Sequence, residues 1–232
     1  MTEFINVLKK CSSVLIASLI FIFLTLFTQT PGVSTFSDDR INVSNNLTGD
    51  MIRIVVCIIF LLLSFWFLSL FAKRLNIKFN FLQFKQGKID KKRLVIYSSA
   101  NLLLTLVYVT ILYIGNGYNV GTVPTQILEM KERPIVFILY FLTTVLTQPI
   151  LEEFLYRGIL QEKLAQYIGW FSIIVTSLVF SFSHDYQITL STQLISSIFY
   201  GLAYYSTKDI RVPSIIHCLH NFAVVMVVIL LG

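Results

Sequence analysis

Long apolar runs separated by short polar connections organise this chain. Val14 to Phe27 with a few flanking residues, Ile54 to Phe71 and Leu94 to Ile114 each approach the roughly 20 residues that an α-helix needs to cross hydrocarbon. Pro134 to Ile150 starts a fourth such run, Trp170 to Ser183 forms a fifth, Ile188 to Tyr205 a sixth and Pro213 to Leu231 a seventh. The pattern predicts an all-α fold, a polytopic transmembrane helical bundle of about seven spans. Thr189, Ser191, Thr192, Gln193, Ser196 and Ser197 dilute the sixth run, and hydroxylated residues of that kind suit a helix packed against other helices. The polar stretch from Gly115 to Arg133 has room for a short interfacial helix.

Composition supports the membrane reading. The 232 residues are 56% hydrophobic and 13% charged, and mean hydropathy is positive, so water is not the solvent for most of the chain. Short connections argue for one bundle, divisible into N-terminal spans with a basic loop (1–133) and a C-terminal core (134–232). The net charge of +6 is concentrated in Lys73, Arg74, Lys78, Lys85, Lys88, Lys91, Lys92 and Arg93, opposed only by Asp90. A basic loop beside membrane spans reads as cytoplasmic, with anionic headgroups as its secondary partner, and not as a nucleic-acid surface. Lys9 and Lys10 place the N-terminus on the same side, and the segment from Ser34 to Asp50 faces outside. The same alternation puts Lys208 and Arg211 inside. Met1 to Thr30 has the charge and apolar run of a signal peptide but lacks a small-x-small cleavage site, so a retained first span is expected. Cys11, Cys57 and Cys218 show no paired spacing, which indicates neither a disulfide framework nor a zinc knuckle.

The stretch PILEEFLYRGIL, Pro149 to Leu160, sets Glu152, Glu153 and Arg157 inside an apolar run. Ionisable groups at membrane depth are costly, face a bundle interior or wet cavity, and usually serve function. Glu153 and Arg157 are four apart on one helix face, where an ion pair offsets part of the desolvation. Glu152 points about 100° away and has no such partner nearby in sequence, which makes it the better candidate general base.

All three histidines also sit in or at the ends of apolar runs. Phe180 and His184 share a face at the end of the fifth run, and His217 and Asn221 share one in the seventh. If the fourth helix continues past Arg157 to about Gln166 and turns near Tyr167 to Gly169, Glu152 and His184 both lie roughly 24 Å from the turn and can meet. His217 reaches that level if the turn end of the hairpin protrudes into the cytoplasm, as Glu162, Lys163 and Gln166 allow. Pro149 is a potential kink in this count.

Glu152-Glu153-x-x-x-Arg157, Phe180-x-x-x-His184 and His217-x-x-x-Asn221, in order on apolar helices, resemble the three-motif signature of the CPBP family, the CAAX-prenyl-protease and bacteriocin-processing intramembrane proteases also called Abi proteins. The resemblance covers Pro134 to the C-terminus; the first three spans match no family motif. It implies that Glu152 activates a water for attack on a peptide carbonyl with help from His184. His217 and Asn221 would hydrogen-bond the oxyanion, and Glu153 with Arg157 would hold the helix geometry. His220 falls outside the pattern and reads as a packing or hydrogen-bonding residue.

The expected activity is intramembrane endoproteolysis of a membrane-associated substrate. That substrate is either a prenylated CAAX C-terminus or a leader, pheromone or bacteriocin peptide in a bacterial cell membrane, sometimes with self-immunity. No cofactor is expected in the favoured mechanism; zinc held by Glu152, His184 and His217 is the alternative. A small ion-coupled transporter would use the same buried charges, but no pair of similar halves is visible. A non-catalytic immunity or scaffold protein is the third reading.

Overall fold

The computed structural model describes residues 20–27, 47–76, 88–116, 134–185 and 191–231, and no strand occurs among them. Residues 20–27 form α1, Leu47–Arg74 α2, Lys91–Asn116 α3, Pro134–Ile168 α4, Phe171–Asp185 α5, Thr192–Thr207 α6 and Arg211–Leu231 α7. Each predicted apolar run thus contributes a helix. The expectation of about seven spans is met only in part: α2 and α4 alone, among the described residues, pass for full spans by length and hydropathy. At 15 and 16 residues, α5 and α6 rise only about 22–24 Å, short of the ~30 Å hydrocarbon thickness. The start of the first run, the proposed outside segment up to residue 46, Lys78 and Lys85 of the basic loop, Cys11 and the stretch 117–133 lie outside the described residues.

The helices turn a narrow stripe inward and a broad apolar face outward, the inverse of a water-soluble helix. In α2 the buried stripe is Gly49, Arg53, Cys57, Ser64, Leu68 and Ala72, spaced at helical intervals, while Ile52, Val55, Ile59, Leu62 and Trp66 are exposed. Buried apolar area gives no driving force in lipid, so close packing by small side chains and internal hydrogen bonds must hold the bundle. The α6 helix fits that rule. Ser196, Ser197, Gly201 and Ala203 are buried where α6 packs against α3, α5 and α7.

Local sequence sets the breaks around the core. Gly169 ends α4 with a φ of 57°, a left-handed conformation suited to glycine, and α5 starts two residues later. Ser191 caps α6 by accepting from the Leu194 amide at 3.2 Å. Lys208 ends α6 with a φ of 51°. The last helix begins at Arg211, two residues before the sequence expectation, because Pro213 is tolerated in a first turn.

One feature of α4 has no counterpart in the sequence expectations. Two stretches, Thr143–Thr147 and Phe154–Gln161, are π-helical, and the intervening Gln148–Glu153 is α-helical. Pro149 follows the first wide turn. The Gln148 amide bonds to Thr143 O, five residues back, and Pro149 has no N–H to continue that register onto Thr144 O. The bypassed Thr144 carbonyl instead accepts the Asn221 side-chain amide of α7 at 2.9 Å.

Candidate active site

Three helices bring the predicted chemistry together. From α4, Glu152 and Glu153 are 3% and 0% exposed. From α5, His184 Nε2 lies 3.7 Å from Glu152 Oε1. From α7, His217 Nε2 lies 3.8 Å from Glu152 Oε2. The expected meeting of Glu152 and His184 across the α4–α5 turn is found, but not by the counted rise, since Phe154–Gln161 is π-helical and advances less per residue than the α-helix that the count assumed.

Each imidazole is fixed from behind. His184 Nδ1 is 2.9 Å from Phe180 O. A carbonyl only accepts, so Nδ1 carries the hydrogen and Nε2 is left facing Glu152. Ser183 Oγ also donates to Phe180 O at 2.7 Å and accepts from the Tyr156 hydroxyl at 2.7 Å, bracing the same turn. His217 Nδ1 lies 2.9 Å from Glu153 Oε1. Glu153 Oε2 is in turn 3.3 Å from Arg157 Nε, so the predicted pair forms with both side chains fully buried. Glu153 thus lies between Arg157 and His217, and His217 presents Nε2 to Glu152.

Aromatic rings complete the enclosure. Phe180 lies over His184 with centroids 4.4 Å apart, and Tyr200 stacks on His217 at 4.5 Å with an interplanar angle of 21°. The Arg157 guanidinium sits 5.0 Å from the Phe180 centroid and 5.5 Å from that of Tyr200, and donates to Ser197 O and Oγ at 2.9 and 2.7 Å. A buried cation so surrounded has partners for its charge beyond Glu153 alone.

Glu152 differs from its sequence reading. It has a neutral partner, Gln148, whose Nε2 donates to Oε1 at 3.0 Å. Gln148 is one α-turn back on the same face, so the i, i+4 rule that paired Glu153 with Arg157 also finds this contact. Tyr200 and Ser197 were missed as well; they stand about 40 residues from Arg157, and no local spacing marks them. Asn221 is placed on the Thr144 carbonyl. His220 is 9% exposed, with its ring edge toward Tyr200 at 6.5 Å and no hydrogen-bond partner at Nδ1.

Among the described residues, no group of three or more His, Cys, Asp or Glu side chains is spaced to hold a metal ion. The seam between α4 and α7 opens into an apolar groove of about 700 Å³, whose lining includes none of the site's side chains. Val145, Leu146 and Ile150 form one wall, Ile215, Cys218 and Phe222 the other, with Arg211 at one end. The groove thus borders the two helices that supply Glu152 and His217.

Residues 134–223 match the family model described as Type II CAAX prenyl endopeptidase Rce1-like. No curated protein and no solved structure matches the chain.

Proposed function

We propose, from the match of residues 134–223 to the Rce1-like model of type II CAAX prenyl endopeptidases, that this chain is an intramembrane endopeptidase in which Glu152 activates the attacking water. The observation that carries this reading is the convergence of His184 Nε2 and His217 Nε2 on the two oxygens of one buried carboxylate, at 3.7 and 3.8 Å. Those separations exceed a direct hydrogen bond and suit polar groups that share a bound water.

In the proposed reaction Glu152 takes a proton from the water, and His184 Nε2 accepts the second hydrogen bond and aims the lone pair. The hydroxide oxygen bonds to the scissile carbonyl carbon, and the carbonyl π electrons move to oxygen. His217 has given its Nδ1 hydrogen to Glu153, so it donates from Nε2 only as the imidazolium, flanked by Glu152 and Glu153. Two carboxylates, Arg157 and the imidazolium then balance in charge, and the imidazolium stabilises the oxyanion in a water-poor site. Collapse breaks the C–N bond, and the proton held by Glu152 passes to the leaving amine. No step passes through a metal.

The apolar groove favours a lipidated substrate over a plain leader peptide. It runs along the two helices that supply Glu152 and His217, so a hydrocarbon chain lying in it would hold a peptide close to those helices. The test is incubation of purified protein with matched prenylated and unprenylated CAAX peptides, with products identified by mass. Release of the terminal tripeptide from the prenylated peptide supports the reading; cleavage of neither contradicts it.

A further inference from the structure

The protease reading needs two donors for the oxyanion, and the family resemblance assigns them to His217 and Asn221. In this structure one hydrogen of the Asn221 amide is spent on Thr144 O, at 2.9 Å, which fixes that amide to the first wide turn of α4. That contact has its own cause in Pro149, whose missing N–H leaves the carbonyl without a backbone partner. A different amide stands at the carboxylate. Gln148 Nε2 lies 3.0 Å from Glu152 Oε1, on the segment Gln148–Glu153 that the two π-helical stretches bracket.

Resting on the proposed proteolysis, we propose that Gln148 is a catalytic residue that serves as the second oxyanion donor. An ionised carboxylate only accepts, so the atom facing it is the nitrogen of the Gln148 amide, and one of its two hydrogens is spent there. The second hydrogen is available to a ligand. Gln148 is half-buried while Glu152 is 3% exposed, so of the two bonded groups the amide is the more accessible. A water held by Glu152 lies about 2.7 Å from it, and a carbonyl carbon under attack about 3 Å from that water. The carbonyl oxygen then falls between Gln148, bonded to one carboxylate oxygen, and His217, 3.8 Å from the other. During reaction Gln148 makes or breaks no covalent bond. It donates one hydrogen bond to the charge that appears as the carbonyl π electrons move to oxygen, and the imidazolium donates the other.

The test compares wild type with Gln148→Met, which keeps length and removes the donor, and with Gln148→Glu, which keeps shape and places negative charge at the oxyanion. A prenylated reporter peptide gives kcat and KM. A peptidyl phosphinate, a tetrahedral anion, and an uncleavable ketomethylene peptide give affinities that need no turnover. Loss of one oxyanion donor lowers kcat by about 10²-fold. The expected result is such a fall in Gln148→Met with KM within about threefold. Phosphinate affinity should fall in parallel and ketomethylene affinity stay unchanged, with at least as large a loss in Gln148→Glu. A kcat within about twofold of wild type overturns the proposal, as does a kcat loss with unchanged phosphinate affinity, which marks a residue that only steadies Glu152. Glu152→Gln, run alongside, separates the two readings. If it is inactive while Gln148→Met is fully active, the protease stands and the Gln148 role falls; if it cleaves as wild type does, both fall.

Discussion

His217 Nδ1 lies 2.9 Å from Glu153 Oε1, which joins the second carboxylate of α4 to the imidazole of α7 in a contact fully enclosed by protein. The geometry divides the two adjacent glutamates by partner. Glu152 faces the two Nε2 atoms, while Glu153 holds Nδ1 of His217 and lies beside Arg157.

Glu153→Gln therefore tests orientation without emptying the space. The amide can turn its NH₂ toward Nδ1 and leaves the proposed imidazolium without its counter-charge, so kcat should fall by about 10²–10⁴-fold, the size of loss seen when a histidine's carboxylate partner becomes an amide. A reporter assay at saturating substrate measures this; activity within threefold of wild type would remove Glu153 from the account.

Tyr200 holds the plane of the same ring from the other side. Tyr200→Phe keeps the stack and should leave kcat within about threefold, whereas Tyr200→Leu removes a contact that is worth about 1 kcal/mol between rings and should lower kcat about tenfold at constant KM. Equal activity of the two variants would show that stacking does not matter to His217.

Much of this arrangement is legible in the sequence because it depends on helical arithmetic. Glu152 and His184 each stand 16 residues from Ile168, and Gly169, which takes positive φ at the hairpin turn, marks where that count reverses. The polar stripe of the sixth run pointed to helix packing, and Ser196 and Ser197 are buried as such residues should be. What the sequence concealed depends on register or on distance along the chain. An i→i+5 turn has no composition of its own, and Pro149 was its only trace. Ser197 and Tyr200 reach Arg157 across helices, by contacts that spacing cannot encode. Gln148 was readable by the same rule as Arg157, but a glutamine draws less notice than a charge.

Asn221→Ala should show its main effect on stability. Removing the amide leaves Thr144 O with neither a backbone nor a side-chain donor, a loss of about 1–3 kcal/mol for a group taken out of water. A lower midpoint of thermal unfolding in detergent checks it, and an unchanged midpoint would mean that the carbonyl finds another donor.

Close packing of α6 gives an independent test of the bundle. A Cβ added at Gly201 would lie 2.8 Å from Ile173 Cγ2 and 3.1 Å from Gln161 Oε1. Gln161 also donates to Gly201 O at 2.9 Å, so it cannot move aside without losing that bond. Gly201→Ala should destabilise by about 1–3 kcal/mol through overpacking. A denaturation midpoint equal to wild type would contradict the observed α4–α5–α6 contact.

The groove makes a prediction about substrate choice. Ile215→Trp fills it from α7 without touching the carboxylates, so KM for a prenylated peptide should rise by about tenfold or more while kcat stays within about threefold. A rise in KM of equal size for an unprenylated peptide would place the hydrocarbon elsewhere.

The central claim is that Glu152 activates the water, and cleavage of a prenylated CAAX reporter by wild type and Glu152→Gln, each with and without a chelator, tests it most directly. The account predicts a loss of at least about 10³-fold in the variant, a wild-type rate indifferent to chelator, and an unchanged variant fold. A variant that cleaves at the wild-type rate would contradict the role of Glu152, and a wild-type rate abolished by chelator would move the reaction to a metal.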